Sequence, residues 1–197
     1  MKLRLTILAV ALVTPALMLA QVTQPLQKAS APSNPGQAWQ LKMTAPLEVG
    51  IVCVDMDRML KFYTEVVGMT KVGDAETTPQ MSTLSRGTPY GYRIVRMQTP
   101  SGERVKLIQP KVEPAKLTPV PEWVFQRGGM AWITFLIDDM PALVSQMKAH
   151  QVKLVSDGAV EVRKGVFALF VLDPEGNYVE FVQYPDIAAY RPDLYKK

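Results

Sequence analysis

Cysteine and histidine are almost absent from this chain of 197 residues, which contains one of each, Cys53 and His150. A single cysteine excludes an intrachain disulfide, so no covalent cross-link stabilises the fold. Cys53 lies in an apolar predicted strand, and His150 lies at the end of a predicted helix. These positions favour a buried thiol and a solvated imidazole, and they disfavour a cysteine–histidine catalytic pair.

A strong net charge is absent as well. The formal charge is +4. Without Lys2 and Arg4 it falls to +2, because 20 basic and 18 acidic residues remain. Such a balance indicates no polyanionic partner, and we expect no binding to nucleic acid. With 48% hydrophobic and 20% charged residues, the composition is that of one folded domain or two small packed modules.

The one long apolar run is N-terminal. Residues 1–20 have a short basic start, an apolar stretch and a small residue before Gln21, which predicts a signal peptide. An uncleaved membrane anchor is the alternative, because the run approaches the length of a short membrane span. Residues 21–45 are rich in Gln, Pro, Ser and Ala and predict a flexible tether. The mature protein is then periplasmic or secreted, without stable membrane insertion.

An internal repeat organises the remainder of the chain. "EVGIVCVDMDRMLKFYTEVVGMTKV" and "WITFLIDDMPALVSQMKAHQVKLV" both follow a strand–helix–strand pattern, and "TPSGERVKLIQ" aligns with "DPEGNYVEFVQ". The sequence therefore predicts an α+β fold of two tandem βαβββ modules, residues 46–110 and 129–184. Residues 111–128 form a proline-rich linker, residues 185–197 form a tail that packs on the outer face, and the helices span 56–67 and 140–150.

Strand alternation predicts which side chains face away from the helices. Leu47, Val49, Ile51 and Cys53 fall on the helix side, so Glu48 faces the opposite way. Four equivalent positions on that opposite face are Glu48, Lys106, Trp132 and Glu180. Charges at these positions favour a cleft over a second core. The plainer alternative is that Glu48 is half exposed at a strand end.

Two further sets of side chains belong to the predicted cleft. Tyr178 shares the strand and face of Glu180, and an earlier predicted strand with its approach carries two tyrosines and two arginines: Tyr90, Tyr92, Arg93 and Arg96. This second set either places a phenol and a guanidinium in the cleft or lies exposed on an edge strand. The ligand-binding prediction therefore comprises Glu48, Lys106, Trp132, Glu180, Tyr178 and Tyr92.

The repeat, the segment "VDMDRMLKFYTEVVGM" and the closing "LDPEGNYVEFVQ" resemble the vicinal oxygen chelate superfamily over about residues 45–185. That superfamily includes glyoxalase I, methylmalonyl-CoA epimerase, extradiol dioxygenases, and fosfomycin and bleomycin resistance proteins. The resemblance implies a curved, open mixed β-barrel with helices outside. It also implies a divalent metal held by a His or Gln on the first strand and a Glu on the last strand of each module.

Those metal-ligand positions are Glu48, Lys106, Trp132 and Glu180 here, and only Glu180 matches the pattern. Lysine brings a cation and tryptophan has no lone pair to donate to a metal. We therefore expect Lys106 to lie between Glu48 and Glu180, with no metal bound. Glu48 and Glu180 are the candidate ligands if a divalent metal is present.

Three functions follow from the resemblance. The favoured one is a bleomycin-resistance-like module that holds a small organic molecule without a metal, with Trp132 and Tyr178 stacking on it. The alternative is a divalent-metal-dependent lyase, isomerase or dioxygenase of the glyoxalase type. A third is metal-free acid–base catalysis, with Glu180 as the catalytic base. The two modules either pair within one chain or exchange with a second copy, so a homodimer is also open.

Overall fold

The described part of the chain, residues 44–112 and 115–195 of a computed structural model, contains both predicted modules. The predicted signal peptide and nearly all of the predicted tether lie outside the described residues. No helix within the described ranges is long and apolar enough to cross a membrane.

The first module has its elements in the order β1 (Glu48–Val52), α1 (Met56–Lys61), β2 (Thr70–Glu76), α2 (Pro79–Leu84), β3 (Tyr92–Gln98) and β4 (Arg104–Pro110). Asp55 caps α1 by accepting the Arg58 N–H at 3.0 Å. The helix continues as a π-helical segment, Phe62–Val66. Helix α2 lies in the connection between β2 and β3.

The second module contains β5 (Ile133–Ile137), α3 (Met140–Ala149), β6 (Val160–Arg163), β7 (Val166–Leu172) and β8 (Tyr178–Gln183), followed by α4 (Ile187–Tyr190). The sequence predicts a strand at residues 152–155, and this is wrong. Leu154 forms only an isolated bridge to Val171, and the outer strand is formed further along the chain, by β6. A strand needs a continuous ladder partner, which local composition does not specify.

The two sheets have the same topology. Their strand orders are β1-β4-β3-β2 and β5-β8-β7-β6. In each sheet the first and last strands of the module pair in parallel, and the other pairs are antiparallel. The predicted pair of βαβββ modules is therefore confirmed as two four-stranded mixed sheets.

One hydrophobic core combines the helix-facing sides of both sheets. Ile51 and Cys53 are buried on that side of β1, as strand alternation predicts. Leu47 is 75% exposed, so its predicted burial is wrong, because it precedes β1 and is not held by the strand. The other core members come from both modules and include Met59, Tyr63, Val95, Leu107, Met147, Leu169, Val179 and Phe181. The two modules therefore share one core.

A polar contact between the modules lies at the start of helix α1. The Glu175 carboxylate, in the turn between β7 and β8, accepts the Val54 N–H at 2.8 Å and the Asp55 N–H at 2.6 Å. We name this contact the Glu175 clasp. Nearby, the buried Asp173 accepts the N–H of Glu175 at 2.9 Å and the Tyr63 hydroxyl at 3.3 Å. Burial raises the pKa of Asp173.

Glu175→Ala should lower the free energy of unfolding by about 1–3 kcal/mol, because two half-buried backbone N–H groups lose a charged acceptor. Urea denaturation measures this change. Glu122→Ala is the matched control, since Glu122 is an exposed linker residue. An equal effect of the two substitutions would contradict a role of the clasp in stability.

Candidate functional site

Charged side chains cluster on the open face of the first sheet, which is the face opposite the helices. Glu48 contacts Lys106 Nζ at 3.1 Å through Oε2 and Arg104 Nη1 at 3.1 Å through Oε1. Arg104 Nε also donates to Gln98 Oε1 at 2.7 Å. The Lys106 ammonium holds the pKa of Glu48 below its ordinary value, and the Arg104 guanidinium contributes less to this shift.

Strand register explains why these groups meet. Glu48 on β1 lies directly opposite Arg104 on β4, and Gly50 lies opposite Lys106. The Lys106 side chain therefore extends diagonally from beside a glycine towards Glu48. Glu48, Arg104 and Lys106 have side chains that are 30–37% exposed, so the cluster is half-buried and accessible to water.

Glu180 lies on the open face of the second sheet, where it lines a cavity of about 550 Å³. Its carboxylate accepts the Thr134 hydroxyl at 2.5 Å. The remaining lining combines aliphatic, aromatic and cationic side chains: Leu136, Val162, Arg163, Val166, Ala168, Val182, Tyr184, Tyr190 and Arg191. The cavity is therefore amphipathic, and Glu180 is the carboxylate among its lining residues.

The C-terminal segment forms one wall of this cavity. The ring of Tyr190, in α4, stacks on Tyr184 with centroids 3.8 Å apart and 12° between the planes. Arg163 donates to the Tyr184 hydroxyl at 3.0 Å. The sequence predicts that the tail packs on the outer face, and this is wrong. Tyr190 stacks on Tyr184 and lines the cavity on the open face of the second sheet.

The predicted three-residue cluster forms only in part. Lys106 contacts Glu48, but within the described ranges no ion pair joins Lys106 to Glu180. The two carboxylates belong to different sheets, and no described strand pairing joins these sheets. The expectation that Lys106 lies between the two carboxylates therefore holds only for its contact with Glu48, and Glu180 accepts the Thr134 hydroxyl instead.

The three predicted aromatic residues have diverse surroundings. Trp132 packs between the rings of Phe125 and Phe170, at centroid distances of 5.6 and 5.4 Å. Tyr178 is buried, and its hydroxyl donates to the Pro121 carbonyl at 3.0 Å. Tyr92 is half-buried on β3. Their ligand-binding roles stay predictions.

Sequence reasoning missed the contribution of the linker and the tail to the second sheet. Pro121 and Phe125 come from the linker, and Tyr190 comes from the tail. The period-two pattern that places Glu180 on the open face also places Tyr184 there, and this was the available signal. Nothing local in the sequence indicates which face the linker covers.

The residues at the four implied metal positions do not fit a divalent ion. Lys106 directs an ammonium group at Glu48, and Trp132 is held between two aromatic rings. Glu180 lies on the other sheet from Glu48. Among the residues that the structure describes, no group of three or more His, Cys, Asp or Glu side chains is arranged to hold a metal. A stable site needs several such donors close together.

Known proteins share this architecture. A glyoxalase family protein from Bacillus cereus has a TM-score of 0.61 at 20% identity, over 73% of this chain and 96% of that one. Glyoxalase I of Leishmania major, described as trypanothione-dependent, has a TM-score of 0.53 at 24% identity, over 75% and 91% of the two chains. Glyoxalase I of Zea mays has a TM-score of 0.53 at 19% identity, over 72% and 45%. At these identities the likeness concerns the fold alone.

A search among curated proteins gave no match. The family model that matches covers residues 45–181, which is most of both modules. The sequence motifs, the duplicated βαβββ topology and this match agree, and the chain belongs to the Glyoxalase/Bleomycin resistance protein/Dioxygenase superfamily.

Proposed function

We propose that this protein binds a small organic molecule on its open sheet faces without a metal ion, and that it does so after export from the cytoplasm. The observation that carries the proposal is the 3.1 Å ion pair between Lys106 and Glu48. It puts a cation of the protein at a position where the superfamily resemblance implies a metal-binding carboxylate.

Electrostatics supports metal-independent binding. Lys106 and Arg104 already neutralise Glu48 and occupy both of its oxygens. A divalent ion at Glu48 would have to displace these contacts and would be repelled by two nearby positive charges. The most favourable occupant of such a surface is a molecule that accepts hydrogen bonds from the cations.

The cavity of the second sheet supports binding of an organic molecule. Its volume of about 550 Å³ is within the range of small-molecule sites. Aliphatic side chains such as Leu136 and Val182 offer apolar contact, and Glu180 and Tyr184 offer polar contact. Small-molecule sites combine an apolar lining with a few polar groups in this way.

The wild-type protein should bind no stoichiometric divalent metal, and Lys106→Glu should bind Mn²⁺ more tightly than wild type, because it puts a second carboxylate beside Glu48. Elemental analysis and calorimetric titration measure the two quantities. Lys106→Gln is the matched control, since it removes the cation without adding a carboxylate. One tightly held metal per wild-type chain, lost in Glu180→Ala, would overturn the proposal in favour of a metal-dependent lyase, isomerase or dioxygenase.

Lys106→Gln should raise the pKa of Glu48 towards its ordinary value, because the first cause of its lowered pKa is removed. In wild type, the Glu48 ion pairs stabilise the fold above the ordinary glutamate pKa, and this stabilisation is lost as the pH falls through the lowered value. Carboxyl NMR titration measures the pKa. Lys111→Gln, which removes the 2.7 Å partner of Glu76, should leave the pKa of Glu48 unchanged.

Export rests on the basic and apolar pattern of residues 1–20. Protein recovered from outside the cytoplasm should have an intact mass that corresponds to a chain starting near Gln21. Recovery of the full-length chain only from membranes would instead identify an uncleaved anchor.

A further inference from the structure

A row of two glycines and two cations crosses the open face of the first sheet. In order across β2, β3, β4 and β1, the paired residues are Gly73, Arg96, Lys106 and Gly50. The strand neighbours of the two cations, which include Val95 and Leu107, are buried on the helix side. Arg96 and Lys106 therefore both face away from the core, and they lie directly opposite each other.

Opposed like charges on adjacent strands destabilise a sheet. Lys106 offsets this cost through its contact with Glu48. Arg96 has no hydrogen bond or ion pair within the described part of the chain. Asp74 follows Gly73 on β2 and lies opposite the core residue Val95, so its side chain is on the other face of the sheet from Arg96. There it forms an ion pair with Arg93 at 2.8 Å.

The two glycines leave this row open above the backbone. A Cβ at Gly73 would meet the Arg96 side chain at 3.6 Å, and a Cβ at Gly50 would meet Ile108 Cδ1 at 3.3 Å. The stem of Arg96 thus lies over Gly73. No side chain of the row other than Arg96 and Lys106 rises from the sheet, so an incoming group can reach both cations.

An apolar row lies next to the cationic one. Across the same four strands its members are Ala75, Ile94, Ile108 and Val52. Val52 is 54% exposed, and the two isoleucines are half-buried. Apolar surface that stays accessible beside a charged row is suited to a ligand that has an apolar body and a charged group.

We infer that this face binds a small organic anion, a carboxylate or a phosphate ester, whose charged oxygens contact Arg96 and Lys106 while its apolar body lies on Ile94 and Ile108. The inference rests on the proposed small-molecule function and adds the chemical class of the ligand. The cluster of Arg96, Arg104 and Lys106 has one carboxylate among its contacts, Glu48, so it has an excess of positive charge. Charge-assisted hydrogen bonds from guanidinium and ammonium to anionic oxygens are stronger than neutral ones.

Three probes with one ring system test the inference: 2-naphthoate, 2-naphthyl phosphate and the uncharged 2-naphthamide. Isothermal titration calorimetry of the purified protein should give at least about tenfold tighter binding of an anion than of the amide. The anion that binds more tightly identifies carboxylate or phosphate as the preferred group. Its affinity should fall at about 0.5 M NaCl, because salt screens exposed charges.

Arg96→Gln should weaken binding of the preferred anion about tenfold and leave amide binding unchanged. Arg93→Gln is the matched control, because Arg93 lies on the same strand but points to the other face and pairs with Asp74. It should change the anion affinity by less than about twofold. Without ligand, Arg96→Gln should melt no lower than wild type, because it removes a like-charge pair.

Equal binding of the amide and the anions would overturn the inference while leaving small-molecule binding intact. Equal effects of Arg96→Gln and Arg93→Gln on anion affinity would also overturn it. Absence of binding by all three probes would overturn it too, and the proposed function would still be decided separately by the metal analysis of wild type and Lys106→Glu.

Discussion

The carboxylate of Glu175 is the contact on which the arrangement of the two modules depends. It accepts the backbone N–H groups of Val54 and Asp55, where β1 gives way to α1. Helix starts leave N–H groups without partners and favour a negative charge, so this acceptor stabilises α1 from the other module. Since α1 contributes Met59 and Tyr63 to the shared core, the polar clasp and the apolar packing support one another.

Burying the helix-facing sides of both sheets in that core leaves the open faces free to carry polar chemistry. The two faces differ although the topology repeats. The first carries Glu48, Arg104 and Lys106, while the second has a small apolar cluster, including Val166 and Val182, beside the Glu180 cavity. Membership of the superfamily therefore describes the scaffold, and the chemistry has to be deduced from the side chains on each face.

Local periodicity predicted much of the fold, because strand alternation and helix caps depend on neighbouring residues. It placed Ile51 and Cys53 in the core and Glu48 outside it, and the repeat predicted both modules. It could not predict that Glu180 lies apart from Lys106, because the relative position of two sheets depends on packing between distant residues. The same holds for the linker, which contacts Trp132, and for the tail, which contacts Tyr184. Tertiary contacts decide which sheet face each of these segments covers.

The Glu175 clasp joins two parts of the chain that are synthesised at different times. Its partners are separated by about 120 positions, and the corresponding turn of the first module, "TPSG", has Ser101 where "DPEG" has Glu175. A chain made from its N-terminus onwards thus completes β1 and α1 long before the acceptor for Val54 and Asp55 exists. Asp55 can cap α1 and the strands of the first sheet can pair before that point, but the contact of Val54 and Asp55 with Glu175 forms only after the turn between β7 and β8 has been synthesised.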